Sequence, residues 1–176
     1  MKFAAFLPLL LVAGAATAQT SALKNHDTDA PIDFDAARIE VRDKENQALL
    51  TGDVKIRQGR MTLDADSVKI FYSRPARGDP SVRRLDAQGN VRLVSPSERA
   101  SGRYGIYDVT EKQITLIGDV ILNQGESQLR GQRLAIDLES GRSTLDGASG
   151  GGTPGKPSSG GRVSGRFVVP QRGPAK

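Results

Sequence analysis

The chain has 176 residues, a net charge of +5, a single histidine and no cysteine. Thiol catalysis, thiolate metal sites and disulfides are therefore excluded, and the fold must rest on burial and hydrogen bonding. His26, alone in a polar stretch, makes neither a Ser-His-Asp set nor a metal site and reads as a surface residue. No acid follows Asp146, whereas Lys156, Arg162, Arg166, Arg172 and Lys176 do. With those five and Lys2 taken from the net of +5, residues 19–146 carry −1. The basicity belongs to the tail, which argues against a nucleic-acid groove on folded elements.

In chain order, residues 1–18 read as a cleavable signal peptide. Lys2 precedes an apolar run, Phe3 to Ala16, and Ala16-Thr17-Ala18 is the small-x-small pattern a signal peptidase accepts. The run is too short for a bilayer span, which takes roughly 20 residues. A mature protein beginning at Gln19 is expected in the periplasm or outside the cell. Residues 19–31 are polar and expected to be mobile.

Residues 32–147 alternate apolar and polar with period two, the signature of half-buried strands, and no helix of useful length is expected. Gly52-Asp53-Val54-Lys55-Ile56 recurs as Gly89-Asn90-Val91-Arg92-Leu93 and as Gly118-Asp119-Val120-Ile121-Leu122. Leu145-Asp146-Gly147 stands where a fourth copy begins. A second element opens eleven positions after each full glycine: Leu63 to Ile70, Ala100 to Tyr107, and Leu129 to Ile136. An earlier copy of it runs from Phe34 to Val41. These second elements are spaced by 29, 37 and 29 residues, the longer interval holding a surface loop, Ser73 to Pro80. Such self-similarity implies stacked units that cannot bury their apolar faces alone.

Within the second element, Leu63/Ala65 is followed by Val68/Ile70 after three positions rather than two, and the same step separates Phe34/Ala36 from Ile39/Val41. A strand keeps both pairs on one face only through a bulge or bend. The residue before the bend is small in each copy: Ala36, Ala65, Gly102, Gly131. The expected fold is all-β, a twisted open β-jelly roll built from repeated pairs of bent antiparallel strands. Gly105 stands where Val68 and Leu134 stand elsewhere, which leaves the filling of the interior open there.

Residues 148–176 are rich in Gly, Pro and Ser and are expected to be disordered. Arg166-Phe167-Val168-Val169 is the segment best able to pair as a late strand, and it stays unassigned. Asp64 and Asp66 lack the continuation of a calcium loop. Arg77-Gly78-Asp79, between prolines, reads as turn chemistry. No catalytic residue, metal site or cofactor is expected.

Asp27-Thr28-Asp29-Ala30-Pro31-Ile32, the repeated Gly-Asp/Asn-Val element and the Leu-x-Ala-Asp-x-Val-x-Ile element together resemble the LptA (OstA-like) family of periplasmic lipopolysaccharide-transport proteins, from about Asp27 to Gly147. The resemblance implies a non-enzymatic protein whose copies stack end to end across the periplasm. It implies an LptC-like partner at the N-terminal edge, the N-terminal domain of an LptD-like partner at the C-terminal edge, and lipopolysaccharide moving along an apolar interior. By the same resemblance Thr28, Ile32, Phe34, Tyr107 and Val109 match positions lining the lipid path. Ile39, Val54, Ile56, Leu63, Val68, Ile70, Leu93, Leu129, Leu134 and Ile136 are inward by register, and each also reads as plain core. An interior open to acyl chains and an ordinary packed core both remain compatible with the residues. So do two other readings: an LptC-like component keeping an N-terminal anchor, and a secreted structural or adhesive repeat protein.

Overall fold

The computed structural model describes residue 23, residues 26–147 and residues 161–166. The expected signal peptide and most of the tail lie outside the described residues. Ten strands follow in chain order: β1 (Ile32–Asp35), β2 (Arg38–Arg42), β3 (Gln47–Gln58), β4 (Met61–Ser73), β5 (Ser81–Val94), β6 (Glu98–Asp108), β7 (Gln113–Gln124), β8 (Ser127–Asp137), β9 (Ser143–Asp146) and β10 (Ser164–Arg166). They form a single antiparallel sheet in the order β1-β3-β4-β5-β6-β7-β8-β10, with β2 also on β3 and β9 also on β8. The expected all-β architecture is present, and a 3-10 turn at Asp43–Glu45 links β2 to β3.

Every long pairing slips register at a corner, β4 against β5 once more between Phe71 and Tyr72, and the corner slip folds the sheet into two limbs. β3 against β4 shifts between Thr51 and Val54, β5 against β6 between Gln88 and Val91, and β7 against β8 between Ile117 and Val120. The extra residue sits on the Gly-Asp/Asn dipeptide, not on the second element where the three-residue step is visible in the sequence. Gly89 and Asn90 have φ of 79° and 48°, both left-handed, a conformation glycine and asparagine adopt at low cost. Asn90 Nδ2 donates to both carboxylate oxygens of Asp66, at 3.1 and 2.9 Å, which ties the bulge to the strand across from it. The small residues opposite the bulges are needed for space: a Cβ on Gly131 would lie 2.7 Å from the Asp146 carbonyl oxygen.

The first limb comprises β2, residues 47–51, 67–73, 81–88, 104–108, 113–117 and 133–137, and β9. The second comprises β1, residues 54–58, 61–65, 91–94, 98–102, 120–124 and 127–131, and β10. Across the one-residue slip β3 steps four positions, from Leu50 to Val54, while β4 steps three, from Ala65 to Val68, and all four stay buried although a corner lies between them. The limbs meet face to face. A Cβ on Gly105 of the first limb would lie 2.9 Å from Val91 Cγ1 of the second. Outward positions carry Lys55 against Asp64 and Arg84 against Asp86.

Two sequence expectations change. The tail, expected as disordered, supplies β10 at Ser164–Arg166, while Phe167 onward lies outside the described residues. The fourth Gly-x-Val copy also proves to be split rather than truncated. Asp146 pairs with Arg133 as Gln88 pairs with Ser67, and Ser164 pairs with Arg130 as Arg92 pairs with Asp64. Gly147 and Val163 thus take the places of Gly89 and Val91. Fifteen residues stand between them where the other copy has one.

Candidate functional site

The inward face of both limbs is a continuous apolar surface. Val54, Ile56, Leu63, Val68, Ile70, Leu93, Tyr107, Leu134 and Ile136 are all buried there, joined by Leu85, Leu116, Val120 and Leu122. Ile32, Val109 and Leu129 are partly buried against this cluster. Of the residues expected inside, Phe34 and Ile39 require correction. They sit directly opposite Ile56 and Leu50 and so face the same side. Yet they are 49% and 47% exposed, and Val41 beside them 54%. The reason is position: β1 and β2 are the sheet's edge, and among the described residues no further strand covers them.

The interior is closely packed. Beside Met61, Leu63, Leu93, Tyr107, Ile114 and Leu116 no space remains for a water molecule. Gly105, a position that might have widened the interior, does not: Val91, Leu116 and Ala87 fill the place its side chain would take. Packed core is the state of these residues in this structure.

A buried amide closes one end of this interior. Gln58, the last residue of β3, is 1% exposed. Its Nε2 donates to the carbonyl oxygens of Thr28 at 2.9 Å and Ala30 at 3.0 Å. Its Oε1 accepts from the Tyr107 hydroxyl at 2.7 Å and contacts His26 Nε2 at 3.0 Å. Because that oxygen only accepts, His26 carries its proton on Nε2 in this arrangement. All four hydrogen-bonding positions of the amide are used, which is what allows a polar group to sit inside an apolar cluster. Thr28 and Tyr107, which the resemblance placed on one path, are thereby joined through Gln58, with Ile32 paired opposite it. His26 is not the surface residue expected. It is half-buried, and its ring meets that of Tyr107 edge-on at 6.5 Å. Burial pushes the Tyr107 hydroxyl up to about 12, against the lowering effect of its bond to Gln58 and helped by the charge of Asp29.

Gln58 belongs to a row of polar residues at the hairpin end of the second limb. Two positions after Ile56, Leu93 and Leu122 stand Gln58, Ser95 and Gln124. Gln124 Nε2 donates to Glu98 Oε1 at 2.9 Å, and Glu98 is itself buried. The inward space therefore runs from a polar rim at these hairpins to apolar walls within. Strand parity carried this signal, since it put polar residues on an inward register in every copy.

Residues 33–142 match the family described as LptA/(LptD N-terminal domain) LPS transport protein. The chain belongs to this lipopolysaccharide-transport family. An uncharacterised protein of Rhizobium meliloti (strain 1021) is 31% identical over 149 residues, covering 80% of each chain. The lipopolysaccharide export system protein LptH of Pseudomonas aeruginosa is 25% identical over 156 residues, 79% of this chain and 82% of LptH. The crystal structure of LptH, described as the LptA-homologous periplasmic component of a lipopolysaccharide transport device, superposes with a TM-score of 0.68 at 20% identity. It covers 82% of this chain and 99% of the LptH chain. The folded-over sheet is thus the architecture of the LptA-like fold.

Proposed function

We propose that this chain is a periplasmic bridge that shelters the acyl chains of lipid A between its two limbs and passes lipopolysaccharide from the inner to the outer membrane assembly. The supporting observation is the unbroken inward apolar face running from one sheet edge to the other, beside a polar rim. Each methylene moved from water into such a face gains about 0.8 kcal/mol, so several acyl chains hold firmly without any covalent step. Because the interior is packed, lipid is admitted by spreading the limbs, which are joined along the line of bulges and share no ladder across their open side. The sugar portion stays in water outside the rim.

The edges extend this reading. At the N-terminal edge β1 and β2 have, among the described residues, no strand on their outer side and expose Phe34, Ile39 and Val41, an invitation to strand addition. An LptC-like protein docks there, the N-terminal domain of an LptD-like protein docks on β9 and β10, and further copies add head to tail. Unlike ends joined in this way extend the assembly rather than closing it.

The test is native mass spectrometry of the protein taken from periplasmic extract. Bound lipid of lipopolysaccharide mass is expected, together with masses of dimers and longer oligomers. Protein that emerges free of lipid at every concentration, and that fails to take up added lipopolysaccharide, contradicts the proposal.

A further inference from the structure

The three long hairpins share one register. Ile56 faces Leu63, Leu93 faces Ala100 and Leu122 faces Leu129; past the corner, Leu50 faces Val68, Ala87 faces Gly105 and Leu116 faces Leu134. Each joins a Gly-Asp/Asn-Val element to a second element. The two edges of the sheet are the separated halves of a fourth such hairpin. β1 and β2 make up a second element, since Phe34 and Ile39 meet Ile56 and Leu50 as Leu63 and Val68 meet Leu93 and Ala87. β9 and β10 are the Gly-x-Val element in two pieces, and a Cβ on Gly147 would run into the Gly161 carbonyl, so the pieces meet at the corner. Among the described residues no strand lies outside either edge.

Resting on the head-to-tail reading, we infer that the repeat runs on through the joint between copies and fixes its register: β9 and β10 of one copy take β1 and β2 of the next as β5 takes β6. Strand direction agrees with this. It alternates along the sheet from β1 to β10, so β1 of a second copy continues the alternation beyond β10. The side chains agree as well. On the inward face Gly165 falls opposite Phe34 of the next copy, Leu145 opposite its Ile39 and Ser143 opposite its Val41. On the outward face Arg166 falls opposite Asp33 of the next copy, whose other neighbour across the ladder is Arg57. Asp146, which already has Arg133 across the ladder, falls opposite Arg38 of the next copy. Each acid thus comes to stand between two arginines, and opposite charges directly across a ladder attract where like charges repel. Asp33, Arg38, Asp146 and Arg166 are all exposed and within reach of a partner. Ser164 and Thr144 meet Asp35 and Glu40 without conflict of charge, and Arg142, opposite Arg42, stands beyond the end of β9. Joining like edges instead pairs two second elements or two Gly-x-Val elements, which no ladder among the described residues does.

The chain has no cysteine, so disulfide trapping reads the register directly. Full-length Ser164→Cys and Asp35→Cys proteins are mixed and oxidised. Directly opposed positions lie within disulfide reach, whereas positions two residues off are bridged only by moving backbone. Linked pairs are expected at about ten times the yield given by either protein alone, or by Ser164→Cys mixed with Asp33→Cys. Exchange of charge gives a second readout, by concentration-dependent light scattering. Arg166→Asp is expected to weaken self-association about fivefold, and Arg166→Asp with Asp33→Arg in one chain to restore it, while Arg166→Asp with Asp35→Arg does not. Self-association without that preference in linkage, or restored as well by Asp35→Arg as by Asp33→Arg, overturns the register and leaves head-to-tail joining standing. An unaltered chain that stays monomeric at every concentration overturns the joining and the register together. Should either cysteine protein fail to fold, Thr144→Cys mixed with Glu40→Cys tests the same register on the first limb.

Discussion

The two ends of the sheet are built from the same bent unit and finished in opposite ways. At the N-terminal end Ala36 and Ala37 alone join β1 to β2, and the inward positions carry Phe34, Ile39 and Val41, each about half exposed. At the C-terminal end residues 147–163 separate β9 from β10, and the inward positions opposite Ile136, Leu134 and Leu129 carry Ser143, Leu145 and Gly165. One end has large side chains and, among the described residues, no strand over them; the other has two small residues, Ser143 and Gly165, and one large one, Leu145. In the proposed head-to-tail association, bulk on one edge meets room on the other.

The strongest way to break that comparison is to charge the bare edge. Ile39→Asp with Val41→Asp is expected to weaken self-association about a hundredfold in concentration-dependent light scattering. Thermal stability should hold within a few degrees, because both side chains are already about half in water. Association that survives the double substitution would place the contact elsewhere.

Next in size is the contrast between the two polar hairpin residues. Gln58→Ala strips four partners and leaves the buried Tyr107 hydroxyl unpaired, a loss of about 1–3 kcal/mol in denaturant unfolding. Gln124→Ala, at the equivalent position toward the other end, removes one bond from a half-buried group and is expected to cost less than about 1 kcal/mol. Equal losses would mean that the N-terminal closure contributes nothing special.

Truncation after Gly147 is expected to do less than charging the bare edge. β10 supplies only three residue pairs and is exposed throughout. Self-association should fall less than about tenfold, and stability by under about 1 kcal/mol. A loss as large as that from the double substitution would show that β10 is the principal docking strand.

The smallest effect is a pH dependence confined to the N-terminal end. Since the Tyr107 hydroxyl is held up to about 12, the folded state grips its proton more tightly than the unfolded chain does. That stabilisation is complete below the ordinary tyrosine range near pH 10 and is lost as pH climbs toward 12. Tyr107→Phe should start less stable, lacking the bond to Gln58, and decline less steeply from pH 10 to 12. Parallel slopes for the two proteins would contradict this.

Much of this structure was legible in the residues. Alternation through Leu50, Val54 and Ile56, and the three-residue step from Ala65 to Val68, foretold bent strands with one apolar face. What stayed hidden has physical causes. The three-residue step lies on one strand while the extra residue lies on its neighbour, so a single element could not say which strand bulges. The exposure of Phe34 and Ile39 depends on the absence of a neighbouring strand, which alternation does not encode. β10 escaped notice because fifteen residues interrupt the fourth copy and because its inward position is Gly165, with no apolar side chain to mark it. Strand parity marks Gln58 as an inward polar residue, but its partners, about thirty residues away, leave no periodic trace, and His26 escaped for that reason.

The central claim is that lipid lies between the limbs, against one face of every strand. Photoreactive side chains placed one at a time along β3, β4 and β8 test it most directly, in cells making lipopolysaccharide. Capture of lipopolysaccharide is expected at inward Val54, Leu63 and Leu134 and not at outward Lys55, Thr62 and Ala135. Capture that ignores this alternation, or that favours the outward set, would contradict the account.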